Sequence, residues 1–223
     1  IMSYWRDYPN LIHVDLSDGE SEQSASRINR SVEDQLIQSG LFSLPKKLPQ
    51  GQGVGGRDRG CHGHWNRTPP KKQRRYYSGK HKAYTLKAQI VVHYCTGQIL
   101  STAYAAGAVH DFKLLKRTLK TLPRPVRVLA DKGYQGLQRL GIPCVLPSKG
   151  GHAQKQPPLW KAIERVLRRR RVRVEHVFAR LKRFRILASR YRNRRQRLGL
   201  RFNLMAGIYN FELAKNWFMK EVY

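Results

Sequence analysis

YTLKAQIVVHYCTGQILSTAYAA, Tyr84 to Ala106, reads as a β-hairpin: a run rich in β-branched residues to Tyr94, a Thr96-Gly97 turn, and a second run from Ile99 to Ala106. His110-Asp111 then starts a helix that continues through Leu122 with Leu114, Leu115 and Leu119 on its apolar side, and Pro123 and Pro125 end it. Val126 to Ala130 (VRVLA) is a short buried strand leading into Asp131-Lys132-Gly133-Tyr134, and Pro143 to Leu146 suits another. After Pro158 a long helix runs to about Phe184, its buried stripe formed by Trp160, Ile163, Leu167, Val174, Phe178 and Leu181. A second helix follows from about Leu200 to Phe218, where Leu204, Met205, Ile208, Phe211 and Leu213 read as core. Hairpin, helix, strand, long helix is an α/β order, with helices covering a mixed sheet.

Upstream of the hairpin the text changes twice. Leu11 to Gly40 reads as two short helices about a Ser17-Asp18-Gly19 turn, the second opened by Ser21 and buried along Ala25, Ile28, Val32 and Leu36. This is helix-turn-helix-like. Its acids Asp15, Asp18, Glu20 and Glu22 argue against strong phosphate contacts, so DNA binding and simple packing or dimerisation both stay open. From Leu48 to Pro70 glycines crowd a stretch without any apolar period, which taken alone is a flexible linker. The expected organisation is therefore a helical region over 1–45, a Gly-rich segment over 46–70, an α/β domain over 71–215 and a tail over 216–223.

The chain of 223 residues carries 44 Lys and Arg against 14 Asp and Glu, a formal charge of +30. That balance is wrong for a typical small-molecule enzyme and right for a polyanion, with nucleic acid the obvious partner. The basic excess lies beyond residue 45. Between Trp160 and Arg201 seventeen Lys or Arg face only Glu164 and Glu175, with Phe184 and Tyr191 interleaved. A solvated face explains many charge runs, but two acids cannot neutralise this one, and we read it as a phosphate-contacting surface. Its candidate contacts, with the basic stretch after residue 70, are Lys71, Lys72, Arg74, Arg75, Lys80, Arg180, Arg183, Arg185, Arg192, Arg194 and Arg195. Cys61, Cys95 and Cys144 are widely spaced and odd in number, which suits free thiols in a reducing cytoplasm rather than a disulfide framework or zinc site. No apolar run approaches the roughly 20 residues of a membrane span, and no signal-peptide pattern opens the chain.

Two acids stand out where acids are scarce. Asp131 sits where a buried strand ends, the usual place for functional groups in α/β folds. Glu175 lies inside the long helix, with Arg171 four residues before it and Lys182 seven after it on the same face. Taken singly, Glu175 reads equally well as half of a surface ion pair with Arg171, and Asp131 as a turn residue ahead of Gly133.

Together, Asp131-Lys132-Gly133-Tyr134 and Arg171, Glu175 and Lys182 some forty residues on form a specific pattern. It resembles the insertion-sequence transposases of the DDE superfamily, in the group that combines Asp-x-Gly-Tyr with Arg-x3-Glu-x6-Lys and is related to Harbinger-type endonucleases. The resemblance extends over KKQRRYYSGKHKAYTLKAQIVV (Lys71 to Val92), GAVHDFKLLK (Gly107 to Lys116), RVRVEHVFARLKRFRIL (Arg171 to Leu187) and RYRNRRQRLGLRFNLMAGIYN (Arg190 to Asn210), and includes the helix-turn-helix-like N-terminus.

The resemblance implies an RNase H-like core whose three carboxylates hold two Mg²⁺ ions, Mn²⁺ being able to substitute. Phosphodiester cleavage needs a metal-activated water and a second cation on the leaving oxygen, about 3.5 to 4 Å apart, and carboxylates are the hard ligands Mg²⁺ prefers. Asp131 and Glu175 would be metal ligands and catalytic residues, with Arg171 and Lys182 orienting Glu175 or holding DNA phosphates nearby. The implied partners are double-stranded DNA, both element ends and target, and further copies of the chain assembled on it. The implied place is the bacterial cytoplasm, at the nucleoid.

The departure from the pattern concerns the family's first Asp. It should end a β-strand near Gly60, where no carboxylate stands; Asp58, between Arg57 and Arg59, is a weak substitute in a context that does not read as a buried strand. Back-translation of Gly56 to Trp65 permits codons that, moved forward one base, read Val-Val-Ile-Val-Asp-Val-Thr-Ala-Ile, an apolar strand with an Asp overlapping Gly60 and Cys61. We therefore expect a local frameshift over about 51–69, together with an N-terminal truncation suggested by the opening Ile-Met-Ser. Loss of the central strand would expose neighbouring strand edges, and loss of its Asp would remove the ligand that bridges the metals.

Overall fold

The computed structural model describes residues 1–9, 21–45, 54–61, 73–79, 82–93, 95–119, 128–129, 134, 136–145, 158–192 and 196–221. Its centre is the hairpin. Strand β4 (Leu86–His93) and strand β5 (Ile99–Ala106) pair antiparallel, with a register shift between Val91 and Val92. Gly97 turns the chain between them at φ +80°, a left-handed value that costs glycine nothing. Below the hairpin, strands β2 (Tyr77–Ser78) and β3 (Ala83–Tyr84) form a small separate ribbon.

Strand β1, Val54–Cys61, lies against the other edge of β4, antiparallel and in unbroken register from Val54 opposite His93 to Cys61 opposite Leu86. Its far edge pairs in parallel with β6 (Val128–Leu129), which pairs in parallel with β7 (Cys144–Val145). The five-stranded sheet thus runs β5-β4-β1-β6-β7. Residues 54–61, inside the Gly-rich segment, form the sheet's middle strand. The reason is that a ladder is built from backbone N–H and C=O, which glycine supplies as well as valine. The edges offered by β4 and β6 outweigh the poor strand propensity of Gly55, Gly56 and Gly60. Along these residues β1 covers the β4 edge from Leu86 to His93 and pairs with β6 at Val128 and Leu129.

Side-chain alternation on β4 splits the core in two. Leu86, Ala88, Ile90 and Val92 face a large cluster with Val174, Val177, Phe178 and Leu181 of the long helix α4 (Pro158–Leu181). The same cluster takes in Phe202, Leu204, Met205 and Ile208 of α6 (Leu198–Glu221), whose stretch from Leu204 to Tyr209 is buried all round. Val91 faces the other way, joining Leu115 of α3 (Asp111–Leu119) with Leu100, Val128, Tyr134 and Leu137. At Gly207 of α6 an added Cβ would lie 1.8 Å from the backbone oxygen of Phe42, so only glycine lets these backbones meet. Of the residues read as core near the end of the chain, Leu204, Met205 and Ile208 are buried, while Phe211 is exposed and Leu213 half-buried. The helix continues unbroken through residue 216.

The N-terminal region folds onto this body. The expected helix opened by Ser21 is α2 (Glu22–Gln38), capped by the Ser21 side chain accepting from the Ser24 N–H at 3.2 Å. Its docked face differs from the one expected, because Ile28 is 53 % exposed while Glu33 is fully buried. The sequence reading missed α1 (Met2–Asp7), a short helix that sinks Trp5, Tyr4 and Tyr8 into the large cluster beside α5 (Arg185–Ala188). The helix expected around Leu11–Leu16, and with it the turn of the helix-turn-helix reading, lies outside the described residues. Among the described residues no helix is long and apolar enough to cross a membrane.

Candidate acidic site and nucleic-acid interface

Helix α4 packs against β1 and carries Glu175. Glu175 and Lys182 are both half-buried, as their shared face requires. Lys182 follows the last turn, its N–H still bonded to the Phe178 carbonyl at 3.0 Å. Arg171 is on the same helix one turn ahead of Glu175. Strand β6 ends at Leu129, and Asp131 lies outside the described residues. Gly60, where the first Asp was expected, stands opposite Lys87 in the β1–β4 register, and Asp58 stands opposite Gln89. Among the described residues no group of three or more His, Cys, Asp or Glu could hold a metal ion.

Lys87, opposite Gly60, was not singled out in the sequence. Its ammonium is fixed by the Asp111 carboxylate at 2.6 Å and the Val109 carbonyl at 2.7 Å, one strand away from Gly60. The signal was present in the two blocks that hold it, TLKAQ and HDFK, but spacing alone does not pair residues 24 positions apart. Two residues along β4 from Lys87 is Gln89, 1 % exposed, with neither amide atom hydrogen-bonded among the described residues. His93, further along the same row, accepts the Thr96 backbone N–H on Nδ1 at 3.3 Å, and that nitrogen is 2.8 Å from the Thr96 hydroxyl. Burial lowers the His93 pKa below its ordinary value.

The candidate DNA-contacting residues divide by exposure and by partner. Arg74 and Arg75, in a single 3₁₀ turn, are exposed, as are Arg180, Arg183 and Arg185. Lys71, Lys72, Lys80, Arg194 and Arg195 lie outside the described residues. Arg192 is tied to the N-terminal helix: its guanidinium lies 4.3 Å from the Tyr8 ring centroid and donates to the Tyr8 carbonyl, while its backbone N–H donates to the Tyr8 hydroxyl at 2.6 Å.

Arg173, His176, Arg180 and Arg183 recur at three- and four-residue steps and line a cavity of about 390 Å³ with the Thr96-Gly97 turn and Tyr209. Arg173 donates to the Cys95 carbonyl there, and the Tyr209 hydroxyl to that of Gly97 at 3.3 Å. Burial pushes the Tyr209 phenol up, against the opposing pull of Arg180 and Arg173. Cys95 and Cys144 are free thiols, as expected, and burial raises the Cys144 pKa.

The family described as transposase DDE domain matches residues 51–211, a span that opens just ahead of β1 and closes within α6. A protein from Microchaete diplosiphon named "Probable transposase for insertion sequence element IS702" is 39 % identical over 219 residues, covering 96 % of this chain and 79 % of that relative. With the domain running through the sheet and both long helices, the chain belongs to the insertion-sequence DDE transposases.

Proposed function

We propose that this chain binds double-stranded DNA through its basic helical face and derives from an enzyme of metal-dependent cleavage and strand transfer, with cleavage impaired here. The observation that carries the reading is Gly60 on the central strand, opposite Lys87 of β4, at the place where the family's first Asp is expected. An RNase H-like core is supported by a sheet whose first three long strands are antiparallel and whose last two run parallel to the first.

Of the three carboxylates the family's two-ion site uses, Asp131 and Glu175 stand in the sequence, and glycine offers no side-chain donor at the third place. Such a set suits one Mg²⁺ completed by water and DNA phosphate better than a bridged pair. When bound, the ion supplies Lewis acidity and an activated water. Arg171 and Lys182 flank Glu175 along its helix and would hold phosphate or keep the carboxylate ionised. The missing Asp fits a local frameshift in the gene, which codons incompatible with the shifted frame would refute.

In a plasmid-nicking assay with Mg²⁺ we expect little or no cleavage by the purified chain, together with retained binding of duplex DNA. If roughly six phosphates are neutralised, log affinity should fall with log salt at a slope near −5. Strong Mg²⁺-dependent nicking would refute the impairment, and salt-insensitive binding would refute the phosphate-contacting face. A non-catalytic remnant or domesticated protein is the second reading, favoured by the same glycine; terminal inverted repeats flanking the gene would speak for a mobile element.

A further inference from the structure

Helix α4 carries its polar side chains on two flanks. At about 100° per residue, the positions of Arg171 and Lys182 fall within roughly 40° of Glu175, whereas Arg173, His176, Arg180 and Arg183 fall roughly 80 to 160° away on one side. This second group is an exposed ridge of its own. Across from it stand the Thr96-Gly97 turn and Tyr209 and Leu213 of α6, which enclose the cavity of about 390 Å³.

The walls of that cavity are braced. Asn210, beside Tyr209 on α6, holds both the N–H and the C=O of Ile99 at 2.8 Å, so the strand leaving the turn is fixed to α6. Tyr209 donates to the Gly97 carbonyl and accepts from Arg180, and Arg173 donates to the Cys95 carbonyl. Turn, α4 and α6 are thereby locked together before anything enters. Among the described residues, the side chains of His176 and Arg183 have no hydrogen-bonded or ionic partner, and Arg180 has the Tyr209 phenol. Guanidinium forks beside an imidazole match the several acceptor oxygens of a phosphate group. Val177, Ala179 and Leu213 add apolar lining that suits the carbon atoms attached to it.

We infer that this cavity is a seat for the phosphate group of a phosphate ester, separate from the Glu175 flank of α4. The inference goes beyond the DNA-binding reading, because the seat recognises a phosphate group and needs no duplex. A free phosphate ester and the backbone of a strand present the same chemistry to it.

The test is thermal unfolding of the purified chain in rising glycerol 3-phosphate, against sodium chloride of equal ionic strength at one pH. It compares the unaltered chain with Arg180→Gln/Arg183→Gln, with Arg183→Gln alone and, as control, with Arg74→Gln/Arg75→Gln, exposed arginines that do not line the cavity. The ester should raise the melting temperature of the unaltered chain and the control saturably. The concentration giving half the rise should increase about tenfold or more in the double variant, and less in Arg183→Gln. Circular dichroism checks folding, and Arg183→Gln, which removes no described hydrogen bond, serves if the double variant does not fold. No rise in the unaltered chain, or an equal response in every variant, would overturn the seat. Anisotropy with a labelled duplex then separates the sources. A parallel loss of duplex affinity in the double variant supports a seat used by a strand, and unchanged duplex affinity supports one used by a free ester. An unaltered chain that responds to the ester but binds no duplex would overturn the DNA-binding reading and leave the seat standing.

Discussion

Glu33 and Arg201, 168 residues apart in sequence, form a buried carboxylate–guanidinium bond of 2.5 Å that joins the N-terminal helix to the last one. Arg201 also donates to the Tyr191 hydroxyl at 3.0 Å, whereas Arg197 lies 2.9 Å from the second Glu33 oxygen without being aligned for a hydrogen bond. Removing one partner of a buried pair leaves the other charged and dry. Glu33→Ala should therefore cost about 3 to 5 kcal/mol, and Glu33→Gln less. Urea denaturation reads this, and an unchanged midpoint for Glu33→Ala would show that α2 stands outside the cooperative unit.

His93 gives the fold a pH dependence. Its Nδ1 accepts the Thr96 N–H, so protonation would set donor against donor in the hairpin turn. The folded pKa lies below the unfolded value of about 6.5, so at intermediate pH the unfolded chain binds the extra proton. Stability from this group is complete above about pH 6.5 and is lost as pH falls toward the folded pKa. The unfolding midpoint should drop over that window, and His93→Gln should flatten the drop; an equal drop in both proteins would place its origin elsewhere.

Gln89 is a buried amide without hydrogen bonds among the described residues, and such groups cost more than they contribute. Gln89→Leu, of similar size, should leave stability unchanged or raise it by about 1 kcal/mol. A fall in melting temperature would show that the amide is satisfied in solution.

Gly60 is the place to restore chemistry. Gly60→Asp puts a carboxylate on the central strand opposite Lys87, an opposite-charge pairing that a sheet tolerates. Nicking of supercoiled plasmid in Mg²⁺ should rise above the unaltered chain's background, and adding Glu175→Gln should return it to background. No rise in a folded Gly60→Asp protein would mean that more than one ligand is lost.

How much of this was legible depended on what each element uses to hold itself. The hairpin, α3, the two short parallel strands and both long helices advertise themselves through apolar periodicity, and their observed spans fall within or close to the expected ones. Strand β1 was unreadable because its sequence contributes little beyond backbone, and the information that makes it a strand belongs to its neighbours. Helix α1 was missed because six residues are too few for a period; its aromatics are buried by α5 and α6, which are distant in sequence. The shared helix face of the candidates Glu175 and Lys182 followed from spacing, while Lys87 with Asp111, and Glu33 with Arg201, are long-range pairs that no local pattern announces.

The clasp between Glu33 and Arg201 also sets an order in time. During synthesis α2 leaves the ribosome 168 residues before its partner arginine, a wait of about 10 to 30 s at ordinary elongation rates. Until then Glu33 stays hydrated. A product ending between Leu181 and Arg197 would carry the sheet and α4 but leave Glu33 without either guanidinium, so completion of the last helix is what seats α2.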